Sequence, residues 1–213
     1  MTSTLETPVH VTKLRQTEIV LLVAAPVVLG LGRALLVPFD DQRWDHMLTD
    51  MAGNFTRSAI GWSLALLAAG LLTATGLALV RLVSDQARLA VPATIGVVTG
   101  WAGTAAIASG GLVMGDMAKS PDRKAMVDVL TGFNEGNGNT VFFMVLAGVV
   151  GSILLAVALA RGGVASKGTA VLIGAGAVIS LVGAPGPLRP VAITGAVLLF
   201  VGHVQLLRGL RDR

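Results

Sequence analysis

Apolar residues gather in six runs along this chain: about Glu18–Val37, Ser58–Val83, Val91–Met114, Thr140–Ala160, Gly168–Ala184 and Pro190–Leu207. The hydrocarbon core of a bilayer, about 30 Å thick, takes about 20 residues of helix. Five runs meet or approach that length, and Gly168–Ala184 is the shortest. The pattern predicts an all-α, polytopic integral membrane protein, with six transmembrane helices arranged as three hairpins over residues 18–207. Residues 1–17 and 208–213 are the flanking tails.

Two of the polar stretches between runs carry a helical period of their own. In the first, Trp44, Met47, Leu48 and Met51 fall at i, i+3, i+4 and i+7, one apolar stripe. Asp40 or Asp41 can cap its start and Gly53 can end it. In the second, Ser120-Pro121-Asp122 opens a helix with proline at the first position. Met126, Val129, Leu130 and Phe133 form its stripe, and Gly132 sits near its end. Both loops therefore predict a short amphipathic helix, each followed by an asparagine, Asn54 or Asn134, before the next run. Such helices either lie in the membrane interface or cover a cavity in the bundle. The third loop, from Gly183 to Arg189, is rich in Gly and Pro and predicts a tight turn.

Charge orients the bundle. With the N-terminus inside, the inner segments hold Lys13, Arg15, Arg81, Arg88, Arg161, Lys167, Arg208, Arg211 and Arg213 against only four acids. The outer segments hold more acids than bases. Basic residues favour the cytoplasmic side, most reliably in short loops. Both termini are expected in the cytoplasm of a bacterial cell, with the protein multi-pass in its plasma membrane. The polar N-terminus and the long first run, which lacks a small-residue cleavage site, predict an uncleaved signal anchor.

Composition removes other classes. Hydrophobic residues make up 54% of the chain and charged residues 13%, which leaves no length for a soluble domain. Cysteine is absent, so disulfides and thiolate metal sites are excluded. The pI near 10.3 would fit nucleic acid, but the basic residues are scattered at segment ends, so no nucleic-acid partner is expected. No cofactor and no metal site is expected: His46 lies among carboxylates, but without a recognised ligand spacing. Gly96 and Gly100, with Thr104 on the same face, and Gly148 with Ser152 are small-residue pairs that let helix backbones approach. They predict packing within the bundle first, and they also allow a homo-oligomer.

The candidate chemistry lies at the outer end. Phe39, Trp44, Phe55, Trp62, Phe133, Phe142 and Phe143 all fall there, whereas an interfacial aromatic belt should mark both sides. Arg33 lies one turn inside the first span, with Asp116, Asp40 and Asp41 as its obvious partners. An apolar pocket with a few polar groups would draw on Arg33, Asp41, Trp44, Asp45, His46, Asp50, Trp62, Phe133 and Phe142 as ligand-binding residues. Asp116, Asp40 and Glu135 are its candidate general acids. His203, near the inner end of the last span, is expected to hydrogen-bond a neighbouring helix.

Three functions are open on these grounds. A non-catalytic component that binds lipid or a protein partner suits the scarcity of charge inside the spans. An enzyme acting on a lipophilic, terpenoid-like small molecule would use the outer acids against aromatic walls. A small-molecule exporter or immunity-type transporter would need an oligomer, since the second, fourth and fifth spans hold no Asp, Glu, Lys or Arg in their interiors to carry ions.

Gly32-Arg33-Ala34-Leu35-Leu36-Val37-Pro38 before an acidic loop, Leu112-Val113-Met114-Gly115-Asp116 at the end of the third run, and the Ala158-Leu159-Ala160-Arg161 type of ending recur in a broad group. By these residues the chain resembles small multi-pass, six-helix membrane proteins of actinobacteria. The resemblance implies location and fold; the group supplies no catalytic residues.

Overall fold

The computed structural model describes residues 14–36, 43–183 and 189–212. It is all-α: α1 (Gln16–Leu35), α2 (Trp44–Gly53), α3 (Phe55–Arg81), α4 (Ala87–Met117), α5 (Arg123–Arg161), α6 (Lys167–Val182) and α7 (Arg189–Arg211). Five of these, α1, α3, α4, α5 and α7, contain stretches long and apolar enough to cross a membrane. α6 is apolar but only 16 residues long.

The long helices follow one another around a ring. Each packs on its neighbour in sequence, and α7 packs back on α1 to close it. Neighbours run antiparallel, as their contacts record. Glu18 at the start of α1 pairs with Arg81 at the end of α3 at 2.9 Å, while Arg57 near the start of α3 reaches Leu35 at the end of α1.

Glycine sets how closely the helices approach. A Cβ on Gly96 would stand 2.6 Å from the Gly151 Cα, and one on Gly100 would run into Gly148. The two small-residue faces read from the sequence are thus each other's partners, on α4 and α5. Hydroxyls on these faces turn back onto their own helices: Thr104 Oγ1 donates to the Gly100 carbonyl and Ser152 Oγ to the Gly148 carbonyl. Gly176 and Gly195 perform the same task between α6 and α7.

The short second outer helix expected around 121–133 is not a separate element. It is the first part of α5, which runs 39 residues without interruption. The helix starts two residues later than expected: Pro121 precedes it instead of holding its first position, and Asp122 caps it, accepting from the Ala125 amide at 3.1 Å. Gly132 does not stop it. A glycine stop works by adopting positive φ, and the one positive φ among the described residues is at Gly163, after α5 has ended. Gly132, Gly136 and Gly138 instead stay helical at a cost of about 1 kcal/mol each relative to alanine. At 1.5 Å per residue α5 is about 58 Å long, well beyond a bilayer core.

Two cores result. The larger runs along the ring axis, through Leu22, Leu29, Leu79, Leu159, Leu181 and Leu206. The smaller one forms at the end that carries α2. There Leu48 and Met51 are fully buried against Trp62 of α3, Ala108 of α4, Ala118 just past its end and Leu130 of α5. The α2 stripe read from the sequence is the face that packs.

Candidate functional site

Among the described residues, those proposed for an outer pocket do not converge on one. Trp62 is buried with its ring against Gly111, where any side chain would collide with the indole. Trp44 is partly buried against the α2 core. Phe133 and Phe142 face outward, 61% and 62% exposed, and Phe142 makes an edge contact with Phe143 at 5.7 Å between centroids. Aromatic residues are concentrated at this end, as the sequence indicated, but the helix rotations split them between a filled core and the outer surface.

The charged residues are divided in the same way. Arg33 is buried. Asp116 is not beside it: its side chain is 80% exposed and pairs with Lys119 at 3.5 Å, whose ammonium also sits 3.3 Å from the centre of the Phe55 ring. Asp40 and Asp41 lie outside the described residues. Glu135 is exposed on α5, and Asp50 is half-buried on α2. Asp45 bonds Arg43 at 2.9 Å and stands 3.8 Å from His46 Nε2. Partial desolvation works to raise the Asp45 carboxyl, but the Arg43 hydrogen bond, the His46 amide and the neighbouring cationic charges outweigh it and hold it below its ordinary value. Among the described residues, no three His, Asp or Glu side chains come together as a metal would require.

One contact at this end went unread in the sequence. Arg57 donates from Nε to the Leu35 carbonyl at 3.1 Å and from Nη2 to the Ala34 carbonyl at 3.4 Å. It satisfies carbonyls that the end of α1 leaves without intrahelical donors.

The buried polar chemistry lies at the centre of the ring. His203 on α7 is almost wholly buried, and its Nδ1 donates to the Leu22 carbonyl on α1 at 2.8 Å. Pro26 explains why that carbonyl is available. It stands four residues after Leu22 within α1, and proline has no N–H to return to it. The helix–helix hydrogen bond expected of His203 is therefore present, with a backbone acceptor that proline exposes. A carbonyl accepts only, so the neutral ring carries its proton on Nδ1 and a lone pair on Nε2.

A cavity of about 30 Å³ adjoins this histidine, walled by residues of α3, α4, α5, α6 and α7. Its polar wall is Thr75, Ser152 and His203, with Trp101 beside them. Two sequence signals lead here: a proline within a span, and a lone histidine in an otherwise apolar helix. Their pairing becomes visible only once α7 is seen to close on α1. In comparison with known proteins, the chain matches no protein family, no curated protein and no solved structure.

Proposed function

We propose that this chain crosses a bacterial cell membrane six times, with both termini in the cytoplasm, and acts without catalysis as a component that binds lipid or a protein partner. α6 serves as the sixth span, its short length offset by close glycine packing between α5 and α7. The six spans form three hairpins whose Arg-bearing ends face the cytoplasm.

The observation that carries the binding reading is the outward placement of Phe133, Phe142 and Phe143 on α5, while the rings and apolar side chains turned inward are consumed by the α2 core. A catalytic pocket at this end would need an acid facing those rings, and Asp116 is exposed and engaged by Lys119. Contact through the outer half of α5 uses the groups that are presented.

The absence of cysteine makes the topology directly testable. Single cysteines at Ser3, Thr131 and Asp212 are labelled in intact cells with a membrane-impermeant maleimide. Reaction at Thr131→Cys alone is expected; reaction at Ser3→Cys or Asp212→Cys refutes the orientation. For binding, wild type and a Phe133→Ala/Phe142→Ala/Phe143→Ala variant are extracted in native nanodiscs and their lipids and partners compared. Loss of a co-purifying species supports the reading, and identical profiles refute it.

A further inference from the structure

The cavity at the ring centre has an unusual balance of hydrogen-bonding groups. Thr75 Oγ1 donates to the Leu71 carbonyl at 2.8 Å, and Ser152 Oγ donates to the Gly148 carbonyl at 2.8 Å. Each hydroxyl proton is thereby committed to its own helix, and what remains for the cavity is oxygen lone pairs. His203 is in the same position. Its proton is committed to Leu22 through Nδ1, which leaves Nε2 of the neutral ring with a lone pair. The residues lining the wall thus bring acceptors from three helices.

We propose that this cavity binds one small, neutral, hydrogen-bond-donating molecule, water or ammonia, between His203 Nε2 and the hydroxyl oxygens of Thr75 and Ser152. Size supports this. A volume of about 30 Å³ exceeds the ~10–15 Å³ that one water requires and is too small for an organic ligand. Charge supports it too. No carboxylate lines the cavity, and an unpaired ion at such depth would bear the full cost of desolvation, so ammonium and metal cations are disfavoured. A donor is required because lone pairs lining a dry cavity have nothing to satisfy them, whereas a bound water donates to two of the three acceptors and ammonia to all three. A water would tie α7 to α3 or to α5, and ammonia would tie it to both, just as the Nδ1 bond ties it to α1.

The test is solid-state NMR on the full chain in nanodiscs with ¹⁵N-labelled histidine, His203 being assigned by its loss in His203→Gln. In ammonium-free buffer, magnetisation transfer from water protons to an unprotonated, hydrogen-bonded His203 Nε2 is expected. A further shift of that resonance on adding ¹⁵N-ammonium chloride at mildly alkaline pH identifies ammonia as a second occupant; no further shift leaves water as the occupant. The near-isosteric double variant Thr75→Val/Ser152→Ala removes both hydroxyl acceptors and should lose the transfer, while the Nδ1–H signal bonded to Leu22 persists. A protonated Nε2, a Nε2 that responds to neither water nor ammonia, or unchanged transfer in the double variant would overturn the proposal.

Discussion

His203 donates from Nδ1 to the Leu22 carbonyl at 2.8 Å, and that carbonyl is the one Pro26 leaves without a donor on its own helix. A helix-breaking residue in α1 and a polar residue in α7 therefore form a complementary pair. His203→Leu strips the buried carbonyl of its partner and should cost about 1–3 kcal/mol in reversible detergent unfolding. Pro26→Ala supplies a new amide four residues from Leu22. In that background His203→Leu should cost about 1 kcal/mol less, a coupling readable by a double-mutant cycle. Additivity of the two substitutions would show that the proline has no part in the contact.

The α4–α5 crossing leaves no room for side chains at Gly100 or Gly148. Gly100→Val or Gly148→Val must push two helix backbones apart, with a loss of about 1–3 kcal/mol or more. Gly70→Ala and Gly110→Ala are the controls, since nothing stands within 4 Å of either position. These should be neutral, or stabilising by about 0.5–1 kcal/mol through helix propensity. Equal losses at all four positions would mean that glycine here serves flexibility, not close approach.

Trp62 fills the space beside Gly111 beneath α2. Trp62→Ala should destabilise by about 3–5 kcal/mol. Leu48→Asp should release α2 from α3, α4 and α5, because a carboxylate would replace a fully buried leucine. Limited proteolysis would then cut within residues 43–54, a region expected to resist in the wild type. Continued resistance would show that α2 is held by something other than its apolar stripe.

Arg57 engages the last carbonyls of α1 from an exposed position. Arg57→Ala should cost about 1 kcal/mol. Arg57→Lys should recover part of that loss, since one ammonium can reach one carbonyl but cannot reproduce the guanidinium fork. Thermal unfolding followed by circular dichroism distinguishes the three proteins.

Asp45 titrates below the ordinary 3.8 of an aspartate because of Arg43 and the His46 amide. A depressed folded-state pKa means that the contribution is present at neutral pH, starts to fade as the pH drops below the unfolded-state value, and is lost as the pH falls through the folded-state value. Carbon-detected NMR should place the Asp45 midpoint below 3.8, with Arg43→Ala moving it upward. An unchanged midpoint in Arg43→Ala would remove the ion pair as the cause.

Hydropathy made the helical bundle legible because each span must bury a long apolar stretch, and that requirement is written in consecutive residues. The α2 stripe was legible for the same reason: Leu48 and Met51 occupy the face that the period assigned to burial. Partnership was harder to read. The small-residue pairs on α4 and α5 advertised close packing, but only the ring order made Gly100 and Gly148 opposite numbers. The stop expected at Gly132 failed because glycine permits positive φ without compelling it. The outer pocket failed for a different reason. A count of aromatics by depth says nothing about helix rotation, so Trp62 turns inward while Phe142, at the same end, turns outward. Lys119 was legible only as a charge, yet it is the partner that the exposed Asp116 takes.

The α1–α7 seam has a consequence for how the protein is made. Every other interface around the ring joins helices adjacent in the chain, so each can form as soon as its second member leaves the ribosome. The contact between Leu22 and His203 bridges 181 residues and must wait for α7. Until then the growing bundle is an open arc whose first helix waits for its last, and arrival of the histidine completes the circle.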